Sequence, residues 1–312
     1  MGQARHHAAL PVSVTGTSND GQTLVGESLL VRYYNFVKLP HTLFALPFAL
    51  LGIIYASFEQ PLTARVVGLV VVAFTGARFA AMGFNRIVDR DVDALNQRTK
   101  ERELPAGRLT VGQARGAVIF ASVVFVGSAA ALNTLCLILS PVALVWILSY
   151  SFTKRFTSWS HLWLGASLAI APVGGYLAVT GRWSEPPWAL VAVAVGVLTW
   201  VAGFDIFYAL QDEEFDRGHG LKSAVVALGE QWSILAAKVL HGITILMLVV
   251  FALGTPFGTW YYVGIVVAAA ILAWEHHLVK PGDLGRLDAA FFQMNGVMSV
   301  VVFVFALGDR LL

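Results

Sequence analysis

A single cysteine, Cys136, occurs in the 312 residues. One thiol cannot close an internal disulfide, and a structural zinc site needs about four ligands. Charge is scarce as well: Asp, Glu, Lys and Arg make up 13% of the chain, against roughly a quarter in ordinary globular domains. The net charge of +2 says little as a total, and no nucleic-acid partner is expected. The first 28 residues lack the basic start and apolar run of a signal peptide. They read as a poorly ordered tail, in which His6 and His7 are inert.

What the chain has is apolar length. Hydrophobic residues make up 57% of it, mean hydropathy is +0.71, and the apolar blocks approach the roughly 20 residues a helix needs to cross a bilayer. The pattern predicts an all-α membrane protein with one transmembrane domain over residues 29–312. Nine spans are expected, at about 39–58, 63–86, 113–132, 134–151, 162–180, 187–208, 232–253, 258–277 and 288–308. Breakers separate several of them, such as Gly181 to Pro187 and Lys280-Pro281-Gly282-Asp283.

The cations fall on one side of these spans. Arg86, Arg90, Arg98, Lys100, Arg102, Arg108 and Arg115 follow the second, Lys154 and Arg155 the fourth, and Arg217, Lys222 and Lys238 the sixth. Lys280 and Arg286 follow the eighth, and Arg5, Arg32 and Lys38 precede the first. The opposite side has only Arg65, Arg182 and Arg310. The positive-inside rule then places the N-terminus in the cytoplasm and the C-terminus outside a bacterial-type inner membrane.

Acidic residues gather on the same side, in two segments. In the first, Asn85, Asp89 and Asp93 are four apart and climb one helix face, with Arg78 two turns further inside the membrane. An arginine at that depth usually faces a cavity or a partner. In the second, Asp205, Asp212 and Asp216 are spaced by seven and four, and Tyr208 falls near their stripe. Two carboxylate stripes at one depth suit a divalent cation that bridges to phosphate oxygens, as Mg²⁺ does. Arg98, Arg102, Lys154, Arg155 and Lys222 are at hand to meet the remaining phosphate charge. Two solvated loops would give the same list of charges, so charge alone leaves both readings open.

The motifs add more. Asn85-x-x-x-Asp89-x-x-x-Asp93, with Arg98-Thr99 and Leu104-Pro105-x-Gly107, resembles the first signature of the UbiA-type intramembrane prenyltransferases. Tyr150-x-x-x-Lys154-Arg155 is similar to a middle signature. Asp205-x-x-Tyr208-Ala209-x-x-Asp212-x-x-x-Asp216, followed by Gly220-x-Lys222-Ser223, is similar to the second acidic one. The resemblance runs from about residue 30 to the C-terminus. It implies nine helices around a central cavity open at the cytoplasmic side, and Mg²⁺ held by Asn85, Asp89, Asp93, Asp212 and Asp216. Asp205 joins the second stripe as a metal or network residue. Lys154, Arg98, Arg102, Arg155 and Lys222 would contact the diphosphate of a polyprenyl donor. Arg78 would face the carboxylate of an aromatic acid acceptor, and Lys38 would be a further cation in the wall. Arg86 and Ser151 depart from the family pattern, which has Asp and Pro there. The Asn-Arg form, with Glu275-His276-His277, resembles the 4-hydroxybenzoate polyprenyltransferase-like subgroup. Some of its members are associated with menaquinone, with 1,4-dihydroxy-6-naphthoate as acceptor.

The chemistry implied is ionisation of an allylic diphosphate, then attack by an activated ring carbon. Tyr150 and Tyr208 are candidates to shelter the carbocation. A transporter for an anionic solute is the rival of another class. It is disfavoured because the charges gather at one surface, without paired broken helices. His41, His161 and His219 are read as interfacial or loop residues, with His219 a candidate to approach the diphosphate.

Overall fold

The computed structural model describes residues 24, 26, 28–38, 45–280, 282 and 294–312. Its elements are helices. In chain order they are α1 (Leu29–Phe36), α2 (Leu46–Ala56), α3 (Ala64–Val88), the one-turn α4 (Arg90–Asp93), α5 (Val111–Leu132) and α6 (Thr134–Ser149). A 3-10 turn, Tyr150–Arg155, leads into α7 (Ser160–Thr180) and α8 (Pro187–Ala209). A second 3-10 turn, Leu210–Asp212, precedes α9 (Glu213–Gly218) and α10 (Ala224–Leu228). Then come α11 (Glu230–Leu253), α12 (Thr259–Leu278) and α13 (Asn295–Leu311).

Local chemistry sets several ends. Thr110 and Gln113 form a capping box at the start of α5, and the Asn133 side chain caps α6. Gly181, at φ 65°, ends α7 in the left-handed conformation that favours glycine.

Among the described residues seven helical stretches are long and apolar enough to cross a membrane, and the chain is a multi-pass membrane protein. The first and ninth expected spans coincide with α2 and α13, which are shorter, at 11 and 17 residues. Residues 39–44 and 283–293, which the sequence assigns to or beside those spans, lie outside the described residues, as do His41, Asp283 and Arg286. Most of the expected N-terminal tail lies outside them too.

α8 is the central helix. It packs against both α7 and α11, while α2 packs on α7 and α13, α3 on α5, and α12 on α13. The main core joins Trp200 of α8 to Phe48 and Tyr55 of α2, Tyr176 of α7 and Phe251 of α11. Lipid tails are as apolar as leucine, so close helix contact depends on small residues that let backbones approach. Gly52 of α2 faces the Pro172 carbonyl of α7, and Gly175 of α7 faces the Ala49 carbonyl of α2. A Cβ at either position would collide with that oxygen.

The acidic stripes differ from the uninterrupted helices their spacing suggests. α3 stops at Asp89 (φ −96°, ψ 2°) and the path restarts in α4. The second stripe is interrupted by the 3-10 turn, and Asp212 (φ −105°, ψ 4°) takes nearly the same backbone conformation as Asp89. This sparsely allowed region is where many active-site residues sit. The helical path is locally broken at both aspartates, and both side chains are directed into one cavity.

Candidate active site

One end of the bundle encloses a cavity of about 260 Å³. α3 contributes Arg78 and Asn85 to its wall; Asp89, Asp93, Arg98 and Arg102 follow from the next segment. The turn after α6 adds Tyr150, Lys154 and Arg155. The end of α8 and the start of α9 add Asp205, Tyr208, Asp212 and Asp216, and Lys38 comes from the end of α1. Both acidic segments therefore meet in one chamber. Lys222 does not line it: its Nζ donates to the Phe156 carbonyl at 3.3 Å. His219 is also turned aside, with Nδ1 2.9 Å from the Phe215 carbonyl oxygen.

Each carboxylate in the chamber has a cationic or imidazole neighbour. Arg98 grips Asp212 with two bonds, Nε to Oδ1 at 3.1 Å and Nη2 to Oδ2 at 2.6 Å, and its Nη1 donates to the Tyr208 hydroxyl at 2.6 Å. Arg102 Nη1 donates to Asp93 Oδ1 at 2.7 Å, and Lys154 Nζ to Asp216 Oδ2 at 3.0 Å. Arg155 Nη2 lies 3.7 Å from Asp89 Oδ1, while Asn85 Nδ2 donates to Asp89 Oδ2 at 2.8 Å. Among the described residues no three His, Cys, Asp or Glu side chains are drawn together as a metal cluster. The donor set for a metal is instead divided among ion pairs. Asp93 Oδ2 is buried with no hydrogen-bond partner among the described residues.

Two residues here were not singled out by spacing. Asn96 Nδ2 donates to Asp212 Oδ1 at 3.2 Å. His161 lies against Asp205, Nδ1 to Oδ2 at 2.7 Å. The Ala224 amide donates to His161 Nε2 at 3.3 Å, so Nε2 is an acceptor and Nδ1–H donates to the carboxylate. An Asn in a loop and a buried His in the first turn of α7 carry no periodic signal, so only the fold reveals their partners.

Burial sets the proton affinities at the chamber's edge. Burial and then the neighbouring Asp93 push Asp89 up to about 6, against the pull of Arg155 and Lys154. Burial and then Arg86, Arg102 and Arg98 push Lys38 down to about 7. Lys38 also holds φ 45°, the only described non-glycine residue with positive φ.

A second cavity of about 230 Å³ adjoins the first. Arg78, Met82, Asn85, Tyr150, Leu164 and Leu168 line both. From that shared wall it runs between α3, α5, α6 and α7 past Ala129 and Cys136, lined almost wholly by apolar side chains. Arg78 stands at the junction, its Nε buried and without a hydrogen-bond partner among the described residues.

The UbiA prenyltransferase family model matches residues 45–297. A 4-hydroxybenzoate octaprenyltransferase of Vibrio campbellii is 31% identical over 225 residues, covering 72% of this chain and 78% of that protein. Its counterpart in Ectopseudomonas mendocina is 28% identical over 256 residues, covering 80% and 84%. Among solved structures, an apo UbiA homolog from Aeropyrum pernix K1 superposes with a TM-score of 0.78 at 31% identity, covering 86% of this chain and 98% of that one. A UbiA homolog from Archaeoglobus fulgidus bound to DMAPP and Mg²⁺ has a TM-score of 0.71 over 90% of this chain and 99% of that one. At 18% identity that likeness concerns the fold alone.

Proposed function

Because the chain belongs to the UbiA prenyltransferase family, we propose that it transfers a polyprenyl group from a polyprenyl diphosphate to the ring of a 4-hydroxybenzoate-type acid, in respiratory quinone biosynthesis. One observation carries this reading: a chamber of paired acids and cations opens through Arg78 into an apolar channel. A diphosphate with a long isoprenoid tail has that same division of polarity. The transmembrane domain spans residues 29–312, with nine spans, and the chamber opens to the cytoplasm.

Asn85, Asp89, Asp93, Asp212 and Asp216 offer oxygen donors alone, the set Mg²⁺ takes. The partnerless Asp93 Oδ2 and the weak 3.7 Å pair at Asp89 leave carboxylate capacity for it. When bound there, Mg²⁺ would offset the charge that builds on the leaving diphosphate.

The chain's own residues do the rest. Arg98, Arg102, Lys154 and Arg155 sit on carboxylates in the protein alone, which holds four cations ready beside the phosphates. The allylic C–O bond breaks and its electron pair leaves with the diphosphate. The rings of Tyr150 and Tyr208 shelter the allylic cation. The apolar channel keeps water from capturing it. Arg78 binds the acceptor carboxylate and turns the ring carbon ortho to the hydroxyl toward the cation. That carbon attacks and then loses its proton.

The test is product formation by purified protein from a polyprenyl diphosphate, with 4-hydroxybenzoate and 1,4-dihydroxy-6-naphthoate offered separately. A prenylated 4-hydroxybenzoate is the expected product. Turnover of the naphthoate alone would move the protein to the other acceptor. Turnover of neither, with the protein folded, would end the aromatic-acid reading.

A further inference from the structure

Four helices share a buried polar chain that the proposed reaction does not use. Glu275 of α12 is fully buried, and its Oε1 accepts a hydrogen bond from Asn295 Nδ2 of α13 at 2.9 Å. Asn295 Oδ1 accepts from the indole Nε1 of Trp200 on α8 at 2.8 Å. The Trp200 ring meets Phe204 edge to face, with centroids 5.0 Å apart. Phe204 lines the polar chamber beside Asp205. Three contacts thus connect a carboxyl group on α12 to the aromatic wall of the site.

His241 of α11 completes the cluster. Its Nε2 lies 3.2 Å from the Trp200 carbonyl oxygen, which only accepts, so Nε2 carries the hydrogen. Nδ1 of the neutral ring is then an acceptor, and His276 Nε2 donates to it at 3.0 Å. Glu275 Oε2 lies 3.7 Å from that same Nδ1 and has no hydrogen-bond partner among the described residues. The single lone pair of that Nδ1 is taken up by the His276 hydrogen bond, so Glu275 is held through Oε1 alone. Gly203 makes room for this arrangement, because a Cβ there would strike the His241 ring. A buried polar network of this kind fixes each rotamer through the next.

We propose that Glu275, acting through Asn295 and Trp200, is a positioning residue that holds Phe204 as the platform for the acceptor's aromatic ring. This rests on the aromatic-acid reading given above. Phe204 stands in the chamber wall with Leu164 and Leu168, where a planar ring finds an apolar face.

The experiment compares wild type with Phe204→Leu, Asn295→Leu, Glu275→Leu, Glu275→Gln and the double variant Phe204→Leu/Asn295→Leu, using 4-hydroxybenzoate as acceptor. Phe204→Leu and Asn295→Leu should each raise the acceptor KM about tenfold, with kcat and donor KM within about twofold. The double variant should be no worse than Phe204→Leu alone, because both changes remove one interaction. Glu275→Leu should follow Asn295→Leu. Glu275→Gln, which keeps an oxygen for Asn295, should behave as wild type. Additive KM effects, or losses confined to kcat and thermal stability, would overturn the proposal. Fluorine NMR of protein labelled with 5-fluorotryptophan gives a readout that needs no turnover, with the Trp200 signal identified by its loss in Trp200→Phe. That signal should be displaced in Glu275→Leu and unmoved in Glu275→Gln; no displacement in either variant overturns the proposal. If wild type fails to turn over 4-hydroxybenzoate, the acceptor reading fails, and the fluorine signal alone decides the positioning role.

Discussion

Arg98 and Asp212 are 114 residues apart in the chain and meet side on, guanidinium to carboxylate, through two hydrogen bonds of 3.1 and 2.6 Å. That pair ties the loop after the first acidic segment to the second acidic segment. Both side chains are largely buried, at 11% and 10% exposed, so the pair is little screened by solvent.

Breaking the pair should therefore be costly. Arg98→Ala leaves Asp212 without its fork and should destabilise the protein by about 2–4 kcal/mol, read as a lower midpoint of thermal unfolding in detergent. Donor KM should rise in the same variant. Arg98→Lys should recover little of either, since an ammonium cannot make the two parallel bonds or hold the Tyr208 hydroxyl as well. A lysine variant equal to wild type would contradict this account.

Metal dependence should carry the signature of Asp89. Its carboxyl group titrates near 6, raised first by burial and then by Asp93. Above that pH it is an anion available to Mg²⁺; below it, the proton competes. The apparent Mg²⁺ affinity should be flat above about pH 7 and fall by about tenfold per unit below about pH 6. Mg²⁺ titrations of turnover between pH 5 and 8 measure this, and Asp89→Asn should lose the step. An affinity that rose on acidification would have the wrong sign.

The sequence made the two acidic segments visible because carboxylates are rare in an apolar chain and their spacing is regular. Asp89 and Asp212 do meet in one chamber. The breaks at these residues were not legible, because spacing by four presumes unbroken helix and the interruption depends on backbone conformation. The partners of Asp212 and Asp205 were hidden for another reason. Asn96 and His161 reach them across 116 and 44 residues, and such contacts leave no local pattern. The apolar channel was invisible because alanine, leucine and phenylalanine line it and also face lipid. Lys222 looked like a phosphate contact by position in the motif, yet its side chain turns to the Phe156 carbonyl.

Arg78 should govern the acceptor alone. It stands where the polar chamber meets the apolar channel, with Nε unpartnered among the described residues. Arg78→Ala should raise the acceptor KM by at least about tenfold, the scale of one charge-assisted bond, and leave the donor KM within about twofold. Steady-state kinetics with each substrate varied in turn decides it. An unchanged acceptor KM would make Arg78 a structural residue.

The contact between α2 and α7 should tolerate no added volume. Gly52→Ala would drive a methyl group into the Pro172 carbonyl, and should cost about 1–3 kcal/mol of stability. Gly68→Ala, whose Cβ would meet nothing within 4 Å, serves as the control and should leave the melting temperature nearly unchanged. Equal melting temperatures for the two variants would refute the close approach.

The most direct measurement is EPR-detected binding of Mn²⁺, standing in for Mg²⁺, with and without a non-hydrolysable polyprenyl diphosphate analogue. The analogue should tighten Mn²⁺ binding to wild type, and Asp89→Ala and Asp212→Ala should each abolish that tightening, because one metal–diphosphate assembly draws on both segments. Analogue-dependent binding that survives intact in either variant would contradict a shared site.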